Sequence, residues 1–93
     1  MPKIVVTAQI EDPVKWEAGF RTHGELFRNA YTVTSPIGIA VTEDNEVALC
    51  FEPADLNKAL EAIRSPATAE AMTVDGVKRE TVKIYVMDKE FQP

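Results

Sequence analysis

The stretch Ile37-Gly38-Ile39-Ala40-Val41-Thr42-Glu43-Asp44-Asn45-Glu46-Val47-Ala48-Leu49-Cys50-Phe51 decides the fold. Ile37, Ile39 and Val41 alternate with the small or polar Gly38, Ala40 and Thr42, which is the period of a half-buried strand. Glu43-Asp44-Asn45 is a turn, and Val47, Leu49 and Phe51 resume the alternation beyond it. Two strands with so short a connector form an antiparallel hairpin. Ser35-Pro36 ends the linker that leads into it.

Outward from the hairpin, each flank carries a helical pattern and then a strand. On the N-terminal side, Asp12-Pro13 is a helix start: Asp caps free backbone N–H groups, and Pro at the first helical position loses nothing. Trp16, Phe20, His23 and Phe27 follow at spacings of four, three and four, the apolar face of one helix expected to run to about Asn29. Gly19 and Gly24 inside it each cost roughly 1 kcal/mol against Ala, a sign of close packing there. Residues 3–10 before it form a first strand, with Ile4, Val6, Ala8 and Ile10 on one face.

On the C-terminal side, Pro53-Ala54-Asp55 opens a second helix whose Leu56, Ala59, Leu60 and Ile63 share a face. Ser65-Pro66 repeats the cap-then-proline signal, so a short separate helix is expected from about Pro66 to Thr73, closed by Asp75-Gly76. Val82, Ile84 and Val86 mark the last strand. The order is β-α-β-β-α-β, an α+β chain of ferredoxin-like plan with a four-stranded antiparallel sheet. Ninety-three residues are expected to form one domain, 1–93. With the helices on one face, the other carries Val5, Thr7, Ala40, Thr42, Ala48, Cys50, Tyr85 and Met87 among Gln9, Glu52 and Lys83. A half-apolar open face on so small a domain implies a partner, here a homodimer with two sheets packed face to face.

Composition narrows the function. Ten basic residues against fifteen acidic ones give a net charge of −5, and the cations are scattered, so the footprint of a nucleic-acid binder is missing. The apolar run after Met1 meets Gln9 and Glu11-Asp12 too soon for a signal peptide, and no stretch reaches the ~20 apolar residues of a membrane span. Cys50 is the one cysteine, which excludes an internal disulfide, and no Cys/His cluster has zinc spacing. A cytoplasmic protein with a buried, unreactive thiol and neither metal nor cofactor is expected.

The motifs Asp12-Pro13-Val14-Lys15-Trp16 with Phe20 and His23, Asp44-Asn45-Glu46-Val47, Asp55-Leu56-Asn57-Lys58-Ala59, Ser65-Pro66, Ala71-Met72, Gly76-Val77 and Tyr85 resemble small cyclase-like members of the dimeric α/β-barrel superfamily, which includes antibiotic-biosynthesis monooxygenases. The resemblance spans nearly the whole chain and rests mostly on caps, turns and core positions. It implies a homodimer whose sheets close a barrel, with a ligand pocket between helices and sheet. Haem-degrading members use an Asn on the first strand, a Trp near the third and a His on the second helix. This chain has Gln9 on the first strand, its Trp on the first helix and no His on the second, which argues against haem.

His23, the one histidine, is the candidate catalytic group, since an imidazole in an apolar cavity takes a proton from a phenol or carbon acid. A satisfied core histidine fits the same position, and Glu17 and Glu25 lie on other helical faces, so no local dyad is evident. Trp16, Phe20, Phe27 and Tyr31 are candidate ligand-binding residues, since small pockets need large apolar walls. They serve equally as core. Tyr31 and Tyr85 are the phenols that could donate to a ligand carbonyl, with Tyr85 better placed for a dimer interface. The expected function is binding of an apolar or aromatic small molecule, as a cofactor-free cyclase, isomerase or monooxygenase-like enzyme. The alternative is a non-enzymatic interaction or structural protein that dimerises through its sheet.

Overall fold

The computed structural model describes residues 2–93. Its elements are β1 (Lys3–Ile10), α1 (Pro13–Phe20), α2 (Gly24–Asn29), β2 (Gly38–Val41), β3 (Glu46–Phe51), α3 (Leu56–Ile63), α4 (Pro66–Val74) and β4 (Val77–Met87). All pairings are antiparallel in the order β2-β3-β1-β4, the ferredoxin-like arrangement in which β1 and β3 lie at the centre. The hairpin forms as expected, except that β2 begins at Gly38 rather than Ile37.

Local chemistry sets the helix starts. The Asp12 carboxylate accepts from the Val14 and Lys15 amides, the Asp55 carboxylate from Lys58, and the Ser65 hydroxyl from Thr68. Each satisfies an amide that has no partner within its helix.

The expected single helix from residue 13 to about 29 is two. Thr22 and His23 donate their amides to Gly19 and Phe20, bonds of three-residue spacing, and the Thr22 hydroxyl donates to the Gly19 carbonyl at 2.6 Å. That tight turn ends α1 and restarts the chain as α2, with His23 at its N-cap. His23 therefore sits in a break between helices rather than on the flank of one.

Ile4, Val6, Ala8 and Ile10 of β1 are all buried beneath the helices, as their alternation requires. A second irregularity lies in β4. Thr7 pairs with Lys83 while Gln9 pairs with Lys78, so the strand bulges between them. The Thr81 hydroxyl accepts the Gln9 amide at 2.8 Å and donates to the Lys78 carbonyl, filling the gap in the ladder. The bulge turns both Val77 and Val82 toward the layer under the helices.

The opposite sheet face is open in the chain. Tyr85 and Met87 are about half exposed there, and Cys50, expected to be buried, is exposed as well. Cys50 pairs with Val5 in register, which puts its side chain on the face away from the helices. Among the described residues no helix is long and apolar enough to cross a membrane.

Candidate functional site

A cavity of about 80 Å³ lies between the helices and the sheet. Val6, Ala8, Val47, Leu49 and Phe51 form its floor, while Leu26, Ile63, Ala71, Met72, Val77 and Val82 close its sides. His23, Trp16, Phe20, Phe27 and Tyr31 all line it. The aromatic rings form a continuous wall: Trp16 stacks on Phe20 at 5.0 Å, Phe20 meets Phe27 at 5.3 Å, and Phe27 meets Tyr31 edge-on at 4.8 Å. Besides the Trp16 indole N–H, four polar side chains interrupt this lining: His23, Tyr31, Thr68 and Asp75.

The histidine has a partner that lies far away in sequence. His23 Nε2 is 2.8 Å from Asp75 Oδ2, and the Asp75 side chain is only 7% exposed against 24% for His23. Asp75 caps the C-terminus of α4, and Gly76 after it takes φ +77, a left-handed conformation that favours glycine. The Gly76 carbonyl accepts the Glu11 amide at 3.0 Å, tying this turn to the end of β1.

A carboxylate is poorly matched to such a place, because carbonyl groups at a helix C-terminus already concentrate negative charge. Asp75 also abuts Gly19 near the C-terminal end of α1. A Cβ on Gly19 would collide with Asp75 Oδ1 and fall 2.8 Å from its Cγ. The Gly19 position is thus small because the carboxylate occupies the space. Against two helix ends, the His23 N–H is what compensates the buried charge. Facing a carboxylate oxygen, Nε2 carries the proton, so the neutral ring keeps its lone pair on Nδ1. Among the described residues Nδ1 has no hydrogen-bond partner, and it is not a buried atom. The arrangement is that of a base with an orienting acid behind it.

At another point on the wall, the Tyr31 hydroxyl bonds Thr68 Oγ1, and Thr68 Oγ1 lies 2.7 Å from the Ala62 carbonyl. A carbonyl only accepts, so the single threonine proton goes to Ala62 and the Tyr31 proton goes to Thr68. Tyr31 therefore has no proton left for the ligand carbonyl that the sequence had suggested for it.

Burial pushes the Tyr31 phenol above its ordinary value. In the unfolded chain the phenol ionises near its usual pKa of about 10. Above that pH the unfolded chain binds fewer protons than the folded one, so stability falls as pH rises. The contribution of neutral Tyr31 is complete below about pH 10 and is lost as pH climbs through the raised folded value. Urea denaturation from about pH 9 upward should show a shallower alkaline loss for Tyr31→Phe than for the native chain. Parallel curves for the two proteins would contradict the assignment.

Asp75 and Thr68 are the site residues that sequence reasoning missed. Asp75 reads locally as a helix-ending residue, and its mismatch with the helix dipole is the signal that marks it. Glu17 pairs with Arg21 at 3.0 Å on the surface, and neither Glu25 nor exposed Arg28 lines the cavity.

No family model and no curated protein matches the chain. Solved structures do resemble it. A putative antibiotic biosynthesis monooxygenase from Bordetella bronchiseptica superposes with a TM-score of 0.71 at 11% identity, over 97% of each chain. A mutant form of SnoaB, a cofactor-independent oxygenase from Streptomyces nogalater, gives 0.70 at 12% identity over 98% of this chain and 94% of its own. A putative antibiotic biosynthesis monooxygenase from Nitrosomonas europaea gives 0.64 at 13% identity, over 98% and 100%. The neighbours are antibiotic-biosynthesis-monooxygenase-like proteins that share the fold of this chain over nearly its full length.

Proposed function

We propose that this chain binds a small apolar or aromatic molecule in the cavity under α1 and α2, and that His23 removes a proton from it without a cofactor. The observation that carries this reading is the pairing of His23 with buried Asp75 at the wall of an otherwise apolar cavity. In the step, a ligand O–H or activated C–H gives its proton to His23 Nδ1. The imidazolium so formed is stabilised by the Asp75 carboxylate across the Nε2–H bond. The electron pair stays on the ligand, and the apolar wall keeps water from it. The fold neighbours' printed descriptions, among them a cofactor-independent oxygenase, are in keeping with this reading.

Thermal denaturation against a panel of single-ring aromatic compounds tests it. A ligand held at 100 times its Kd should add about 2.7 kcal/mol of stability. Ala71→Leu, which puts three more carbons into the cavity, should keep the fold and abolish the response. No shift with any compound, or an equal shift in Ala71→Leu, would contradict the reading.

A second reading, compatible with the first, concerns the open sheet face. Its exposed Tyr85 and Met87 accompany a charge division: Glu46 and Glu52 lie at the ends of β3, while Lys78 and Lys83 lie on β4. A two-fold axis lying between the two sheets, parallel to the strands and over β1, sets the β3 of one copy against the β4 of the other, so each acidic band meets a basic one. We propose that the chain pairs with a second copy through this face.

A further inference from the structure

We infer that the Trp16 indole N–H is the donor that anchors a ligand in the cavity, so that a single-ring molecule carrying a hydrogen-bond acceptor is held through it. This rests on the binding reading above and adds to it the residue that selects the ligand and the group it selects. An indole N–H only donates, and a tryptophan inside a protein ordinarily gives that proton to a partner. Trp16 is 3% exposed and lines the cavity, yet among the described residues its N–H meets no acceptor. It is not a sealed-off atom either, so the little surface that Trp16 keeps includes Nε1.

Packing fixes where that donor sits. Trp16 stacks on Phe20 at 5.0 Å and packs with Ala8, Ile10 and Val47, whereas Tyr31 belongs with Phe27, Phe51 and Ile63 in a separate part of the core. The indole cannot swing away without opening that packing. The other donors among the lining side chains are engaged within the protein. Tyr31 bonds Thr68, Thr68 bonds the Ala62 carbonyl, and His23 Nε2 bonds Asp75. The carbonyl-binding role that the sequence suggested for Tyr31 thus passes to Trp16. A ligand acceptor gains a bond there that no protein atom supplies. A hydrocarbon of the same size shuts water out and leaves the N–H unpaired in an apolar space.

The chain has one tryptophan, so its indole gives a single proton–nitrogen NMR signal that reports Nε1 alone. The test is titration of the full chain with benzonitrile, which accepts a hydrogen bond, and with toluene, which does not. Both are followed by that signal and by calorimetry. Benzonitrile should move the indole proton downfield, as hydrogen bonding does, while toluene binds without doing so. In Trp16→Phe, which keeps an aromatic wall and removes the donor, the benzonitrile-to-toluene affinity ratio should fall about 10-fold. Toluene serves as the reference within each protein, since a change in cavity size acts on both ligands. The NMR measurement needs no variant and stands even if Trp16→Phe does not fold. An indole proton that stays fixed when benzonitrile binds, or that both ligands move alike, would overturn the anchoring role and leave the cavity reading standing. So would an unchanged ratio in Trp16→Phe. Binding of neither ligand would overturn the cavity reading, and the anchoring role with it.

Discussion

Gly19→Ala should destabilise the chain by about 1–3 kcal/mol, the range for overpacking a filled space. The sign is the informative part. In an exposed helix interior, replacing Gly by Ala gains roughly 1 kcal/mol from reduced backbone freedom. Here the added methyl meets the Asp75 carboxylate, which is buried and held by His23. It cannot retreat without giving up the His23 bond. Chemical denaturation should therefore show a lower midpoint with an unchanged slope. Combining Gly19→Ala with Asp75→Ala removes the obstacle, and the alanine at position 19 should then become neutral or stabilising. Such a reversal is a coupling between the two positions that their separate effects do not add up to. A stabilising Gly19→Ala in the otherwise native chain would contradict the close packing of α1 against Asp75.

Light scattering should give about twice the 10.3 kDa of the chain, and Tyr85→Lys should return it to the monomer value. Tyr85 is 47% exposed on the open face of the edge strand β4, in register with Val5 and near exposed Met87. A tyrosine covered by a partner contributes about 2 kcal/mol or more when it is an interface anchor. Lysine there would leave a buried charge and add to the basic band already carried by Lys78 and Lys83. The pairing should weaken about 30-fold for each 2 kcal/mol lost. High salt should weaken the native pairing as well, since opposed charge bands are screened. A native chain that stays monomeric across a concentration series would contradict the pairing.

The β-α-β-β-α-β order was legible because its signals are local. Asp12-Pro13, Asp55 and Ser65-Pro66 each place a cap beside a helix start, and the strand alternations need no knowledge of distant residues. The break at residues 21–23 was hidden for a physical reason. The tight turn there leaves Trp16, Phe20, His23 and Phe27 all directed at one cavity, so the periodic signal runs through it unbroken. The aromatic wall and His23 were visible for the same reason. Asp75 was not, since its bond to His23 spans 52 positions and exists only once the C-terminal end of α4 meets that of α1. Its local meaning, a helix end before glycine, was correct and concealed the other. Cys50 shows the converse limit: strand register tells which face a residue occupies, but not whether that face is covered.

On the proposed reading, His23 holds its proton on Nε2 toward Asp75 and offers Nδ1 to a ligand in the cavity. Nitrogen-15 NMR of the histidine ring, recorded with and without phenol, reads this directly. The predicted spectrum has a protonated Nε2 and a bare Nδ1 in the neutral ring, with the Nδ1 signal moving as phenol is added and staying fixed in Ala71→Leu. A ring protonated on Nδ1, or an Nδ1 signal indifferent to phenol in the native chain, would contradict it.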